Sequence, residues 1–156
     1  MKYIFACLVG LLAAVSAAPA GAMNWAVKET AVECLALAVY WEARSQSSDE
    51  QSAVAHVAIN RAGHPDFPDN VCAVVKQGGV AKRGRCQFSW WCDGRADIPR
   101  EPDAWQAALD RAEAALVGMS DDPTGGAVYF HNKTVRPKWS TVKERTTEIG
   151  KHVFYR

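Results

Sequence analysis

The residue best suited to chemistry in this sequence is Glu42, near the end of a helix predicted over residues 28–44. At about 100° per residue, Glu42 shares one side of this helix with apolar residues, whereas Glu33 points the opposite way. A carboxyl group on an apolar face is desolvated, which raises its pKa and favours the protonated acid near neutral pH. Such an acid can protonate a leaving sugar oxygen, as glycosidic cleavage requires. The apolar residues on this side are Ala31, Leu35 and Ala38.

A structural role for Glu42 is the alternative, because buried carboxylates also form ion pairs. Arg44 and Arg61 are the candidate partners in the sequence. The helical pattern alone does not choose between an acid that donates protons and a paired carboxylate.

A second candidate is the aromatic segment at residues 87–91, which lies between Cys86 and Cys92. Indole rings offer a flat apolar face with one polar edge, which suits stacking against the C–H face of a sugar. The segment has strand-like character, and on a strand Trp90 and Trp91 would face opposite sides. One of them would then belong to the core and the other to a glycan-binding cleft.

The sequence indicates no metal site and no cofactor. It contains neither H-E-x-x-H nor paired C-x-x-C spacing, and it lacks the G-x-S-x-G turn and the phosphate loop. Of the four histidines, His131 and His152 lie in predicted strands and are interpreted as structural hydrogen-bonding residues.

The start of the chain, residues 1–22, has the layout of a secretory signal peptide. A basic start precedes an apolar run at 4–14 and then small residues, with cleavage expected after Ala20 or Ala22. The apolar run is shorter than the roughly 20 residues of a membrane-spanning helix. We therefore expect export to the periplasm or the medium, and one domain over residues 23–156.

Four cysteines remain after cleavage of the signal peptide: Cys34, Cys72, Cys86 and Cys92. An even number of cysteines in an exported protein favours two structural disulfides. The sequence permits any of the three pairings and does not choose among them.

The charge balance disfavours nucleic acid as a partner, because 18 basic residues face 17 acidic ones. No further segment of the sequence is predicted to span a membrane. We expect a monomer that recognises its substrate by shape, stacking and hydrogen bonds.

The hydrophobic pattern predicts an α+β domain with helices first and short β-hairpins late. Asp69 or Asn70 is expected to cap the short third helix. A turn at 121–126 precedes the first late strand, and the last two strands hinge near Gly150. Beyond the helix at 28–44, the predicted helices span 47–61, 71–77 and 102–117, and the predicted strands span 127–131 and 146–155.

The sequence from Glu33 to Tyr155 resembles the SleB/CwlJ family of cell-wall hydrolases. The resemblance rests on the order and spacing of several blocks together: AVYWEAR at 38–44, AVAHVAINR at 53–61, VCAVV at 71–75, CQFS at 86–89, CDG at 92–94, DPTGGA at 122–127 and IGKHVFY at 149–155.

This resemblance implies a lysozyme-like α+β domain that cleaves peptidoglycan between N-acetylmuramic acid and N-acetylglucosamine, and the two expected disulfides would staple it. The glutamate of the family's Y-x-E-A-R block is its catalytic acid and corresponds to Glu42. The residues expected to bind the glycan are Gln87, Phe88, Ser89, Trp90 and Tyr129.

The resemblance also implies a lytic transglycosylase in which one glutamate serves as acid and base. Plain hydrolysis, with Asp93 or Asp49 assisting the water, is the alternative. The family block usually continues with Gly-Glu, where this chain has Ser45 and Gln46. Loss of that second carboxylate also leaves open an inactive protein that only binds peptidoglycan.

Overall fold

The computed structural model describes residues 29–78 and 86–156. The predicted signal peptide at 1–22 therefore lies outside the described residues. Within the described ranges, no helix has both the length and the apolar character needed to cross a bilayer.

Helix α1 (Ala31–Ala43) is the centre of the core. Thr30 caps its first turn, and the Glu33 side chain accepts a hydrogen bond from the Thr30 backbone N–H in return. Residues 34–40 are all buried, because three other helices cover α1 on several sides. The prediction of one apolar stripe was therefore too narrow. Glu42 lies just beyond this buried stretch.

The other predicted helices are present with shifted ends. Helix α2 spans Ser48–Ala62 and begins at the cap Ser47, and the short helix α3 spans Val71–Val75 and is capped by Asn70. Helix α4 spans Pro102–Leu116, and its buried alanines allow close approach to the core.

Three antiparallel strands form the late sheet, in the order β1-β3-β2. They are β1 (Tyr129–Asn132), β2 (Arg145–Ile149) and β3 (His152–Tyr155). The central strand β3 is buried throughout, and its Phe154 packs against Ala53 and Val57 of α2. The sheet is thus docked on the helical layer, which confirms the predicted α+β class.

Both predicted disulfides are present. Cys34–Cys72 joins α1 to α3, and Cys86–Cys92 closes a short loop around the aromatic segment.

The prediction of a strand at residues 87–91 was wrong, because Ser89–Cys92 forms a 3₁₀ turn. The side chains of Phe88 and Trp90 both enter the core from this turn. The bridge closes the loop within six residues, and packing of the aromatic rings outweighs their strand propensity.

Candidate active site

Glu42 lies in the last turn of α1 and is partly exposed at the base of a cleft of about 350 Å³. The cleft is bounded by α1 and α2, by the disulfide-closed loop, and by strands β1 and β3. Besides Glu42, its lining residues are Arg61, Cys86, Gln87, Phe88, Ser89, Phe130, His131, Asn132, Val135 and His152.

Burial raises the pKa of the Glu42 carboxyl above its ordinary value, as predicted from the sequence. The positive charge of Arg61 and the indole N–H of Trp90 oppose this shift without cancelling it. That N–H is buried and acts on Glu42, although its geometry falls short of a full hydrogen bond. Glu42 is therefore set to carry a proton to higher pH than an ordinary glutamate.

Arg61 is the cation that acts on Glu42, and it is almost fully buried. Its Nε donates a hydrogen bond of 2.7 Å to the Val128 carbonyl, and its guanidinium lies over the rings of Phe67 and Phe88. Desolvation lowers the pKa of Arg61 to about 10, which leaves it charged at neutral pH. In the described part of the chain, its Nη1 has no hydrogen-bond partner.

Arg44, the other partner considered from the sequence, does not serve Glu42. Its Nε lies 2.9 Å from Glu101 Oε1, and its guanidinium covers the rings of Tyr40 and Trp41. Among the described residues Glu42 forms no direct ion pair, so Arg61 acts on it at longer range.

Three of the five predicted glycan-binding residues lie beside Glu42. Gln87 and Ser89 are exposed on the cleft wall, whereas Phe88 is only 1% exposed and forms its floor. The backbone N–H of Gln87 donates to the Gln77 carbonyl and anchors the wall to the end of the third helix. Gln87 and Ser89 can therefore offer hydrogen bonds to a ligand, and Phe88 shapes the site beneath them.

The other two predicted residues do not line this cleft. Trp90 stacks on Trp41 and borders a neighbouring cavity of about 360 Å³, which also contains Asp93. Tyr129 packs its ring against Phe67 and Trp139, below the ammonium of Lys143. Trp90 acts on Glu42 through its indole N–H, and among the described residues no hydrogen bond or ion pair joins Tyr129 to Glu42.

Two of the cleft residues, His131 and His152, were interpreted from the sequence only as structural. His131 does make structural hydrogen bonds, to the Tyr155 hydroxyl at 3.0 Å and the Asn132 carbonyl at 2.9 Å. Both histidines nevertheless face the same cleft as Glu42. The sequence carried no signal for this, because it depends on how the sheet docks on the helices.

A polar network fixes strand β1 beside the site. Asp122 accepts hydrogen bonds from the Asn60 side chain at 2.9 Å and from the backbone N–H groups of Thr124 and Gly126. These hydrogen bonds hold the pKa of Asp122 below its ordinary value. Asn60 and its neighbour Arg61 thus tie α2 to the chain segment that enters β1.

The acidic residues considered as helpers for hydrolysis lie elsewhere. Asp93 faces the neighbouring cavity, and Asp49 is exposed in the first turn of α2. Over residues 29–78 and 86–156, no group of three His, Cys, Asp or Glu side chains could hold a metal ion.

The sequence matches a known family. The cell wall hydrolase family matches residues 45–155, and the chain therefore belongs to this family. Glu42 lies just before the matched range.

Similar proteins carry the same domain within longer chains. The spore cortex-lytic enzyme of Halalkalibacterium halodurans is 36% identical over 124 residues, which make up 79% of this chain and 34% of that protein. The spore cortex-lytic enzyme of Bacillus subtilis is 32% identical over 124 residues, 36% of its length. The chain thus spans about a third of these relatives.

Two solved structures share the fold. The catalytic domain of the Bacillus cereus SleB protein matches with a TM-score of 0.60 and 31% identity, covering 81% of this chain and 89% of that chain. The catalytic domain of the germination-specific lytic transglycosylase SleB from Bacillus anthracis gives the same TM-score and identity, covering 84% and 98%. These matches confirm the predicted lysozyme-like domain.

Proposed function

We propose that this protein cleaves the glycan strands of peptidoglycan between N-acetylmuramic acid and N-acetylglucosamine, with Glu42 as the catalytic acid. The observation that carries the proposal is a carboxyl group with a raised pKa at the base of an open cleft. Membership of the cell wall hydrolase family supports the substrate class. The Bacillus anthracis relative, described as a lytic transglycosylase, supports the reaction type.

In the first step, Glu42 donates its proton to the glycosidic oxygen as the bond to the muramic acid C1 breaks. Burial supplies the protonated acid that this step requires. The carboxylate left behind lies near the Arg61 guanidinium and the Trp90 indole N–H, both of which favour the charged form. The environment therefore supports Glu42 in both protonation states.

In the second step, the muramic acid C6 hydroxyl attacks C1, and its proton passes to the Glu42 carboxylate. One residue thus acts as acid and then as base, and it returns to its starting state. The product is a 1,6-anhydromuramic acid end, and no water is consumed.

Plain hydrolysis differs only in the nucleophile, because water then attacks C1 in place of the C6 hydroxyl. Mass spectrometry of the sugars released from purified sacculi separates the two reactions. Transglycosylation predicts muramic acid ends lighter by one water than the hydrolytic product. If only hydrolytic ends are found, the proposed substrate and the role of Glu42 stand, but the C6 hydroxyl is not the nucleophile.

An inactive peptidoglycan-binding protein is the second candidate, because Ser45 and Gln46 stand where the family has Gly-Glu. The two side chains hydrogen-bond to each other, and neither lines the cleft. Zymography on sacculi decides this question: clearing supports an enzyme, whereas retention without clearing supports a binder.

We further propose that residues 1–22 direct export and that the protein acts at the cell wall, in the periplasm or outside the cell. Fractionation followed by N-terminal sequencing tests this proposal. A mature chain that begins after Ala20 or Ala22 is expected, and an intact chain confined to the cytoplasm would contradict it.

A further inference from the structure

His152, which lines the cleft, is linked to the buried carboxylate of Glu50 behind it. Glu50 lies in the first turn of α2 and is only 2% exposed. Its Oε1 accepts a 2.8 Å hydrogen bond from the Lys151 backbone N–H and lies 2.7 Å from His152 Nδ1. The Nδ1 contact is close but not ideally aligned.

The turn between β2 and β3 is shaped to receive this carboxylate. A Cβ atom at Gly150 would lie 1.7 Å from Glu50 Oε2, and the backbone φ there is +56°. Only glycine fits a position that requires both a close approach and a left-handed conformation. The β2–β3 turn therefore contacts Glu50 directly and places His152 beside it.

The two nitrogens of His152 have different surroundings. A carboxylate at Nδ1 favours the tautomer with the proton on Nδ1, which leaves Nε2 as a hydrogen-bond acceptor. Within the described residues, Nε2 has no protein partner and is not sealed from solvent. The residue as a whole is 5% exposed and lines the Glu42 cleft. By contrast, both ring nitrogens of His131 are already engaged.

We propose that His152, held by Glu50, is a second substrate-contacting group, whose Nε2 accepts a hydrogen bond from the acetamido N–H of the muramic acid ring. This inference rests on the proposed function and gives Glu50 the part of a positioning residue. The attacking C6 hydroxyl has a single proton, which it gives to Glu42, so His152 takes part in no proton transfer. His152 instead holds the ring so that the C6 oxygen is aligned with C1, and misplacement of such a group can cost about 10²-fold in rate.

This role predicts a pH dependence that Glu42 alone does not produce. Burial lowers the pKa of His152, and Glu50 opposes that shift, while His131 on β1 and Lys151 in the turn reinforce it. Glu42 on α1 and Arg61 on α2 line the same cleft. Below its pKa, protonated His152 loses the acceptor at Nε2. Glu42 as the only essential group would instead leave activity high at acid pH.

The experiment measures kcat and KM against pH on soluble glycan fragments for the parent, His152→Phe, His152→Gln and Glu50→Gln. Phenylalanine has an aromatic ring without nitrogen, so we expect kcat to fall about 10²-fold with a smaller change in KM. Glutamine keeps an acceptor that does not titrate. We therefore expect partial activity without the decline at acid pH, which is the acid limb of the parental pH profile. Glu50→Gln should move the acid limb to lower pH, because it removes the carboxylate that raises the pKa of His152.

His64→Gln is the matched control, because His64 is partly exposed and lies outside the cleft, near Asp66. It should leave both limbs of the pH profile in place. ¹⁵N NMR of His152 in the parent gives an independent measurement, with the proton expected on Nδ1. It requires neither substrate nor a substituted chain.

An acid limb that stays in place in Glu50→Gln, or a proton found on Nε2, would overturn the role of His152, even if the His152 variants fail to fold. So would full kcat in folded His152→Phe. If Glu42→Gln is inactive in the same assay, the proposed function survives that result. Full activity of Glu42→Gln would reject the proposed function itself.

Discussion

Two carboxyl groups on consecutive helices differ in how the protein neutralises them. Glu50, at the start of α2, meets a backbone N–H and an imidazole at hydrogen-bonding distance, and it is sealed from solvent. Glu42, at the end of α1, has no aligned partner among the described residues and opens onto a cleft. Partnered burial of this kind holds elements together, whereas incompletely compensated burial beside solvent leaves a proton available for chemistry.

The two residues also differ in whether they link separate elements of the fold. Glu50 joins the helical layer to a hairpin about a hundred residues further along the chain. Glu42 forms no such link between elements, and burial at its site raises its pKa and favours the protonated form. Substitutions at the two sites should therefore affect different measurements.

The largest expected effect is the loss of turnover in Glu42→Gln. The amide keeps the size of the side chain but has no proton to donate, so kcat should fall by about 10²–10⁴-fold. The fall can be larger because one group serves both steps. Release of soluble glycan from purified sacculi measures it.

Glu113→Gln provides the control for this prediction, because Glu113 is exposed on α4 and lies outside the cleft. Its activity should equal that of the parent. The parent should lose activity at high pH as Glu42 ionises. Turnover by Glu42→Gln at the parental rate would remove Glu42 from the mechanism.

The upward shift of the Glu42 pKa was predictable because it follows from the residue pattern of a single helix. The spacing of Leu35, Ala38 and Glu42 already places a carboxyl beside apolar groups, and burial does raise its pKa. The fate of Glu50 was not predictable in the same way. The Glu50 backbone N–H donates to the Ser47 hydroxyl, which places Glu50 where its carboxylate could cap the start of α2 in return. The Glu50 side chain instead binds the β2–β3 turn, a contact that local patterns do not encode.

The two disulfides stabilise different regions, one the core and the other the wall of the cleft. Cys34–Cys72 closes 38 residues within the core, and Cys86–Cys92 closes six at the wall of the cleft. In the chain-entropy model, their removal by paired alanine substitution should cost about 4 and about 2 kcal/mol of unfolding free energy, respectively. Urea denaturation measures both losses. The exported parent without residues 1–22, and therefore without Cys7, should show almost no free thiol when unfolded without reductant.

Activity should show the reverse order, because the Cys86–Cys92 loop carries Gln87 and Ser89 on the cleft wall. Its loss should reduce turnover more than the loss of the core bridge does. A larger stability loss from the short bridge would contradict the assigned roles of the two regions.

Gly150→Ala tests whether the Glu50 contact holds the hairpin. A Cβ at this position overlaps Glu50, so the variant should lose about 1–3 kcal/mol from overpacking in addition to the strain of its left-handed backbone. Gly126→Ala is the matched control, because its φ is +79° and no atom lies within 4 Å of an added Cβ. It should show only the backbone strain, about 1–2 kcal/mol. If Gly150→Ala and Gly126→Ala lose the same unfolding free energy in urea denaturation, the contact between the turn and Glu50 does not stabilise the hairpin.

The aromatic segment at 87–91 shows why the rest of the site escaped prediction. Its residues favour strands, yet the segment forms a turn because the bridge and the core packing of Phe88 and Trp90 decide its shape. His131 and His152 were placed on strands correctly, but their access to the cleft follows from the docking of β3 on α2. Local residue preferences contain no information on either arrangement.

The smallest expected effect concerns stability, and it separates a proton donor from a structural ion pair. Because the folded state raises the pKa of Glu42, it holds this proton more tightly than the unfolded chain does. The favourable contribution of Glu42 is therefore complete below its ordinary value of 4.5 and is lost as pH rises through the folded-state pKa. Glu42→Gln, which resembles the protonated form, should melt at a higher temperature than the parent at pH 7, with the difference closing toward pH 4. Thermal melts across this range measure the trend. The opposite result would be a Glu42→Gln variant that melts below the parent at pH 7, with the difference closing toward pH 4. It would show that Arg61 stabilises ionised Glu42, and Glu42 would then be an ion-pairing group.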